Sequence, residues 1–172
     1  MNGGRYVQEL NPLEWAIRPL QKYAVFSGRA SRAEYWWYTL ASIIVGFGFG
    51  FLDKFFGGPL IGVYGPLSFV LTLGLLIPGL AVEIRRLHDI DRSGWWILLN
   101  LWSYGFVVAG FSQMSVESIF KGTNIAALAI LVLIALVGAV IMFVFSVTRG
   151  TDGPNRYGSD PYGRDQLEEV FA

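Results

Sequence analysis

The residues best equipped for chemistry sit in three short stretches of the chain. The middle one runs Glu83-Ile-Arg-Arg-Leu-His-Asp-Ile-Asp-Arg-Ser-Gly-Trp-Trp96 and holds the single histidine, His88. His88 beside Asp89 or Glu83 could act as an acid–base pair. His88, Asp89, Asp91, Glu83 and Glu34 could in principle collect a divalent metal, but such sites want more histidine or a denser carboxylate set. Arg85, Arg86 and Arg92 are interleaved with these acids, which favours ion pairing. No nucleophile motif, metal pattern or cofactor motif accompanies them, so no catalytic residue, metal or cofactor is assigned. The absence of cysteine removes disulfides, thiol catalysis and thiolate metal sites together.

The first stretch is Phe26-Ser-Gly-Arg-Ala-Ser-Arg-Ala-Glu-Tyr-Trp-Trp-Tyr38. Ser31 and Glu34 have capping-box spacing, with Ser31 as helix cap and Glu34 reaching back to the Ser31 backbone N–H. Arg29 and Arg32 flank that cap, and Trp36, Trp37 and Tyr38 resemble an interfacial aromatic belt. The third stretch, Thr148 to Pro161, is dense in turn formers. Within it Pro154-Asn155-Arg156-Tyr157-Gly158 reads as a defined turn.

The elements that must position these residues are apolar. Charged residues make up only 15% of the chain, against roughly 25% in soluble domains. Four uncharged segments lie between the charges: Tyr35 to Leu52, Phe55 to Val82, Ser93 to Val116 and Gly122 to Thr148. A spanning helix needs roughly 20 mostly apolar residues. The expected fold is therefore an all-α membrane protein: four transmembrane helices in a bundle, with a short N-terminal interfacial helix. The second segment begins with a run rich in glycine and proline, so residues 55–66 read as a loop or re-entrant piece. The helix then starts at Pro66 and is kinked at Pro78. The expected spans are about 35–52, 66–88, 94–116 and 124–147. They form a domain over 31–148, between a cytoplasmic arm (1–30) and a cytoplasmic tail (149–172).

The arm holds one helix start, with Asn11 as cap and Pro12 in the first turn. Leu13, Ile17 and Leu20 share a face, which suits a helix lying on the inner leaflet and ending near Pro19. The first thirty residues contain no apolar signal-type core, so insertion should be driven by the later segments. Of thirteen lysines and arginines, all but Lys54 and Lys121 fall in the arm, the loop between spans two and three, and the tail. This bias puts both termini in the cytoplasm. A net charge of zero argues against a nucleic-acid partner.

Within the spans, small and polar residues form stripes. Thr39, Ser42, Gly46 and Gly50 mark the first, and the Gly46–Gly50 pair suits close helix approach or a homo-oligomer. Ser68, Thr72, Gly79, Glu83 and Arg86 mark the second; Asn100, Ser103 and Tyr104 mark the third. The fourth has no polar side chain over Ala126–Phe145 and reads as an outer wall. These stripes suit helix packing, or a small polar cavity with Glu83 at its inner mouth.

Taken together, the motifs resemble a bacterial inner-membrane family, domain of unknown function 805 (YhaH-like). The resemblance rests on Phe26, Gly28-Arg29-Ala30, Arg32 and Glu34-Tyr35-Trp36, then Arg85-Arg86-Leu87-His88-Asp89-Ile90 and Arg92-Ser93-Gly94-Trp95-Trp96. Gly153-Pro154-Asn155-Arg156-Tyr157-Gly158 and Asp160-Pro161 complete it. Asp91 departs from the family, which more often has glycine there, and so does the glycine-rich stretch before Pro66. The resemblance implies a bacterial cytoplasmic membrane and a four-helix core, and it implies no activity.

The leading expectation is a non-enzymatic membrane module whose arginines and acids form a platform for anionic lipid headgroups or a partner protein. Arg29, Arg32, Arg86 and Arg92 would bind, with Glu34, Glu83 and Asp89 orienting them. Arg85, His88, Asn155 and Arg156 complete the candidate site. The alternatives are an oligomeric transporter or channel subunit, and a membrane enzyme using His88 with Asp89.

Overall fold

The computed structural model describes residues 10–55, 65–100 and 125–162. Most of the glycine-rich stretch, the third span beyond Asn100 (with Ser103 and Tyr104) and the acidic end of the tail lie outside these residues.

The described elements are helical, and no strand occurs among them. Helix α1 covers Pro12–Gln21. Asn11 and Glu14 close a reciprocal capping box at its start, each side chain bonded to the other's backbone N–H. The helix does not end near Pro19 but runs through it to Gln21. Pro19 removes a single intrahelical bond, and its ring is fully buried, so packing outweighs the lost bond.

Helix α2 covers Arg32–Asp53 and helix α3 covers Pro66–Asp89. Both are long and apolar enough to cross a bilayer. Helix α4 covers Ile125–Val147, of which Val132–Val147 counts as a shorter apolar helix. A 3₁₀ turn over Gly94–Trp96, capped by Ser93, leads from α3 into helical residues 97–100. Helix α1 packs against α2 and α2 against α3, while α4 touches both of the longer helices.

Among the described side chains of α4 a thin line is buried: Ala135, Gly138, Met142 and Ser146. Their spacings of three and four put them on one face. Ile130, Leu133, Leu136, Val140 and Phe143 point outward from α4, as do Ile44, Phe47 and Phe51 from α2. An outward apolar surface of this extent is a contact surface for lipid or protein rather than for water.

Two constraints of a low-dielectric environment are met by side chains far away in sequence. The first concerns the start of α3. Gly65 stands at the N-cap and offers no side-chain bond. The last residue of α2 supplies it instead: the Asp53 carboxylate accepts from the Leu67 N–H (2.8 Å), the Ser68 N–H (2.9 Å) and the Ser68 hydroxyl (2.5 Å). Three free donors at a helix start are thereby engaged.

The second concerns Pro78, which has no N–H for the carbonyl four residues earlier. That carbonyl, of Gly74, accepts from the Tyr23 hydroxyl at 2.8 Å. The neighbouring carbonyl, of Leu75, accepts from the Tyr38 hydroxyl at 3.1 Å. Away from water such a carbonyl costs free energy if left alone. Tyr23→Phe should therefore lower stability by about 1 kcal/mol in detergent thermal unfolding. The loss should shrink in a Pro78→Ala background, where residue 78 supplies its own donor. Equal losses in both backgrounds would show that the hydroxyl has another task.

Candidate functional site

The three polar stretches meet at one end of the bundle, where α2 begins and α3 and α4 end. The centre is Asp89, whose side chain is 5% exposed. Arg29 lies on one side, with Nε at 3.0 Å and Nη2 at 2.9 Å from Oδ1. Arg86 lies on the other, with Nη1 on Oδ2. Both guanidiniums are almost fully buried.

Two cations against one carboxylate leave an excess positive charge, and backbone carbonyls of the last segment absorb it. Arg29 donates to the carbonyls of Thr151 (2.6 Å) and Gly153 (2.6 Å), and more weakly to that of Gly158 (3.4 Å). Arg86 donates from Nε to the Ser146 carbonyl at 3.1 Å and from Nη2 to that of Thr148. Charge-assisted bonds of this kind are the stronger ones, and burial of an ion pair is tolerable only when the remaining donors are satisfied.

The last segment also closes the end of α3. The Thr151 N–H and hydroxyl donate to the Asp89 carbonyl at 2.9 and 3.1 Å, and Asn155 Nδ2 donates to the His88 carbonyl at 2.9 Å. These are helix-terminal carbonyls with no partner in the helix itself. Asn155 and Gly158 exchange backbone bonds across the intervening turn, so Pro154–Gly158 is indeed a defined turn. Gly150 passes so close to Asp89 that a Cβ would collide with the carboxylate. His88 serves this packing: Nδ1 is 3.1 Å from the Gly28 carbonyl, and the ring stacks on Tyr157 at 3.8 Å.

Several expectations are corrected. Arg29 and Arg86 are not open forks for an external anion, because their donors are taken up by Asp89 and backbone carbonyls. Glu34 does not complete a capping box. Ser31 Oγ accepts from the Glu34 N–H at 3.1 Å, but the carboxylate turns to Arg85 Nη1 at 2.5 Å, with Arg18 Nε at 3.6 Å. A charged guanidinium is a stronger partner than a neutral backbone N–H. Glu83 orients no arginine: it accepts from Asn100 Nδ2 at 2.5 Å. Arg32, Arg92 and Arg156 remain exposed.

Asp91, the departure from the family pattern, has φ +57°. Glycine adopts this left-handed region freely and aspartate tolerates it. The added charge has a partner, since Arg156 Nε lies 3.0 Å from its carboxylate and Nη2 donates to its carbonyl at 2.8 Å.

A cavity of about 410 Å³ opens between α2 and α3, with Tyr38, Thr39, Ser42, Thr72, Glu83 and Asn100 in its lining. A second, of about 700 Å³, shares Ile43, Gly46 and Thr72 with it and extends to Lys54 and Ser68. Sequence reasoning passed over Asp53, Tyr23, Arg18 and Lys22. The carbonyl freed by Pro78 was the one signal that could have led to Tyr23. Burial holds the Lys22 amine below its usual pKa, an effect that Glu34 opposes and Arg18 and Arg85 reinforce.

The geometry is that of a helical membrane-type protein closed at one end by an arginine–aspartate clasp. The family model for proteins of unknown function called DUF805 matches residues 23–159, and the chain belongs to that family. Inner membrane protein YhaH of Escherichia coli is 35% identical over 149 residues, covering 87% of this chain and 97% of the relative. Inner membrane protein YhaI of the same organism is 34% identical over 150 residues, covering 87% and 96%. The uncharacterized protein YiiR is 29% identical over 139 residues, covering 78% and 84%. No solved structure matches the chain.

The clasp makes a direct prediction. Asp89→Asn leaves two buried guanidiniums facing a neutral amide, a change that typically costs about 3–5 kcal/mol. The last segment should then detach, and limited trypsin digestion in detergent should cut after Arg149 and Arg156 many times faster than in the parent. Unchanged cleavage would mean that other contacts hold the segment.

Proposed function

We propose that this chain is a non-enzymatic protein of the bacterial inner membrane. It crosses the bilayer four times, with both termini in the cytoplasm and its clasped end presented to the headgroups of anionic lipid. The observation that carries this reading is the division of labour among the arginines. Arg29 and Arg86 are consumed in holding the end of the bundle together. Arg32 and Arg92 stand exposed on that rigid base, beside the exposed indoles of Trp36, Trp37 and Trp95. Arginine among interfacial aromatics is the composition that meets a headgroup layer. The names of YhaH and YhaI support the membrane assignment, and the outward apolar faces of α2, α3 and α4 agree with it.

Arg32→Gln/Arg92→Gln should weaken retention of phosphatidylglycerol by roughly fivefold per residue, read by native mass spectrometry, and leave the melting temperature close to the parent's. Equal retention would sink the headgroup reading for these two residues. The crossings have their own test, since the chain has no cysteine and single cysteines can be introduced at will. A cysteine at Asp152 should react with membrane-impermeant maleimide only after the cells are opened. One at Lys121 should react in intact spheroplasts. The reverse pattern would overturn the orientation.

A second reading has one observation in its favour. The two cavities between α2 and α3 share lining residues and together run from Glu83 and Asn100 to Lys54 and Ser68. A small transporter or channel subunit, paired through Gly46 and Gly50, would use that groove.

A further inference from the structure

A second cationic cluster lies behind the clasp, between α1, α2 and α3, and the clasp does not use it. Among the described residues Glu34 is the one carboxylate in ion-pair distance of it, buried at 1%, with Arg85 at 2.5 Å and Arg18 at 3.6 Å. Lys22 follows Arg18 by one helical turn, its N–H bonded to the Arg18 carbonyl at 3.1 Å, so the two side chains leave α1 on the same side. No carboxylate lies within ion-pair distance of Lys22 among the described residues. Glu14, the nearest other acid on α1, turns its carboxylate to the Asn11 N–H. Three cations thus share one anion. Arg85 Nε and Nη2 are buried without a hydrogen-bond acceptor, although the neighbouring Nη1 is paired. The Asp89 cluster meets its excess charge with carbonyls; this one has no such supply.

The place of the cluster bears on what would balance it. Tyr23, next to Lys22, donates to the Gly74 carbonyl, fifteen residues before Asp89. At 1.5 Å per residue that is about 22 Å along α3, so the Tyr23 hydroxyl reaches far down the helix from the clasp. The arm therefore dips beside the bundle, with Leu13, Ile17 and Leu20 outward, rather than lying flat on its surface. Residues 70, 74, 78, 81 and 85 of α3 share one face by helical spacing. The arm covers its upper part, where Pro78, Ala81 and Arg85 are buried. Just below Tyr23 the same face is bare, with Val70 and Leu73 exposed.

We infer that Arg18 and Lys22 hold the phosphate of one anionic phospholipid whose acyl chain runs past Tyr23 along Val70 and Leu73. Arg85 stands behind them and supplies uncompensated positive charge without touching the lipid. A lipid fits better than a free phosphate because an exposed apolar strip, Val70 and Leu73, continues from the cations down α3. The inference rests on the membrane placement proposed above, but it names residues separate from the Arg32 and Arg92 surface.

The test is native mass spectrometry of the full chain in detergent, titrated with phosphatidylglycerol, phosphatidylcholine and inorganic phosphate. The parent should hold one phosphatidylglycerol in preference to phosphatidylcholine, and millimolar phosphate should not displace it. Lys22→Gln, which removes no side-chain hydrogen bond or ion pair among the described residues, should weaken that lipid about fivefold. Adding Arg18→Gln should bring the loss to about thirtyfold, and Lys22→Arg should retain binding. Unchanged retention in Lys22→Gln and the double variant overturns the inference, as does full displacement by phosphate. Loss only in Arg32→Gln/Arg92→Gln also overturns it, while leaving the exposed surface as the lipid site. Loss only in the Lys22 and Arg18 variants upholds it and removes the exposed surface instead.

Discussion

One carboxylate between two buried guanidiniums organises this molecule. Asp89 alone would be a costly group to bury, and Arg29 and Arg86 would each be costlier. Together they are tolerable because the end of α4 and the segment after it bring five carbonyls to the surplus donors. The arrangement joins the residues just before α2, the end of α3 and the segment after α4. It also explains why the last segment has its composition. Gly150 admits the chain past Asp89, Thr151 and Asn155 close the end of α3, and the Tyr157 ring covers His88.

Away from that end, the structure is shaped by the need to leave no backbone group alone in an apolar medium. Asp53 serves the start of α3, and Tyr23 and Tyr38 serve the carbonyls one turn before its proline. None of these three acts on its own helix. Each ties a local defect in α3 to a neighbouring element, so the same bonds that satisfy the backbone also fix how α3 sits against the arm and α2. The thin buried line on α4 stands in contrast: among the described residues, the polar ties of that helix to the rest lie at its end.

What was legible in the sequence was local. The Asn11 cap with Pro12, the Ser31 cap and the start of α3 at Pro66 rest on side chains a few residues apart, and the helices begin there. Partners across long separations were not legible. Glu34 has capping-box spacing, yet a guanidinium from α3 claims its carboxylate. The arginines were readable as a cluster, but sequence could not say which would face inward. Arg85 and Arg86 are adjacent, and their helical positions send one to Glu34 and the other to Asp89. The left-handed backbone at Asp91 is likewise something that no composition rule reveals. The separation of three crossing stripes from an apolar fourth segment is a matter of pattern; the cavities between α2 and α3 are a matter of packing.

The clasp has a consequence for the order in which the molecule can be completed. Its acceptors come from residues 146–158, more than a hundred positions after Arg29. Synthesis runs from the N-terminus, so Arg29, Arg86 and Asp89 all leave the ribosome well before the carbonyls that satisfy them. Until then the end of α3 must stay wet, and the hairpin it forms with α2 cannot seal. Closure is thus a late event of biogenesis: a product cut short before Ser146 keeps Arg29 and Arg86 on Asp89 but lacks the carbonyls that take up their remaining donors.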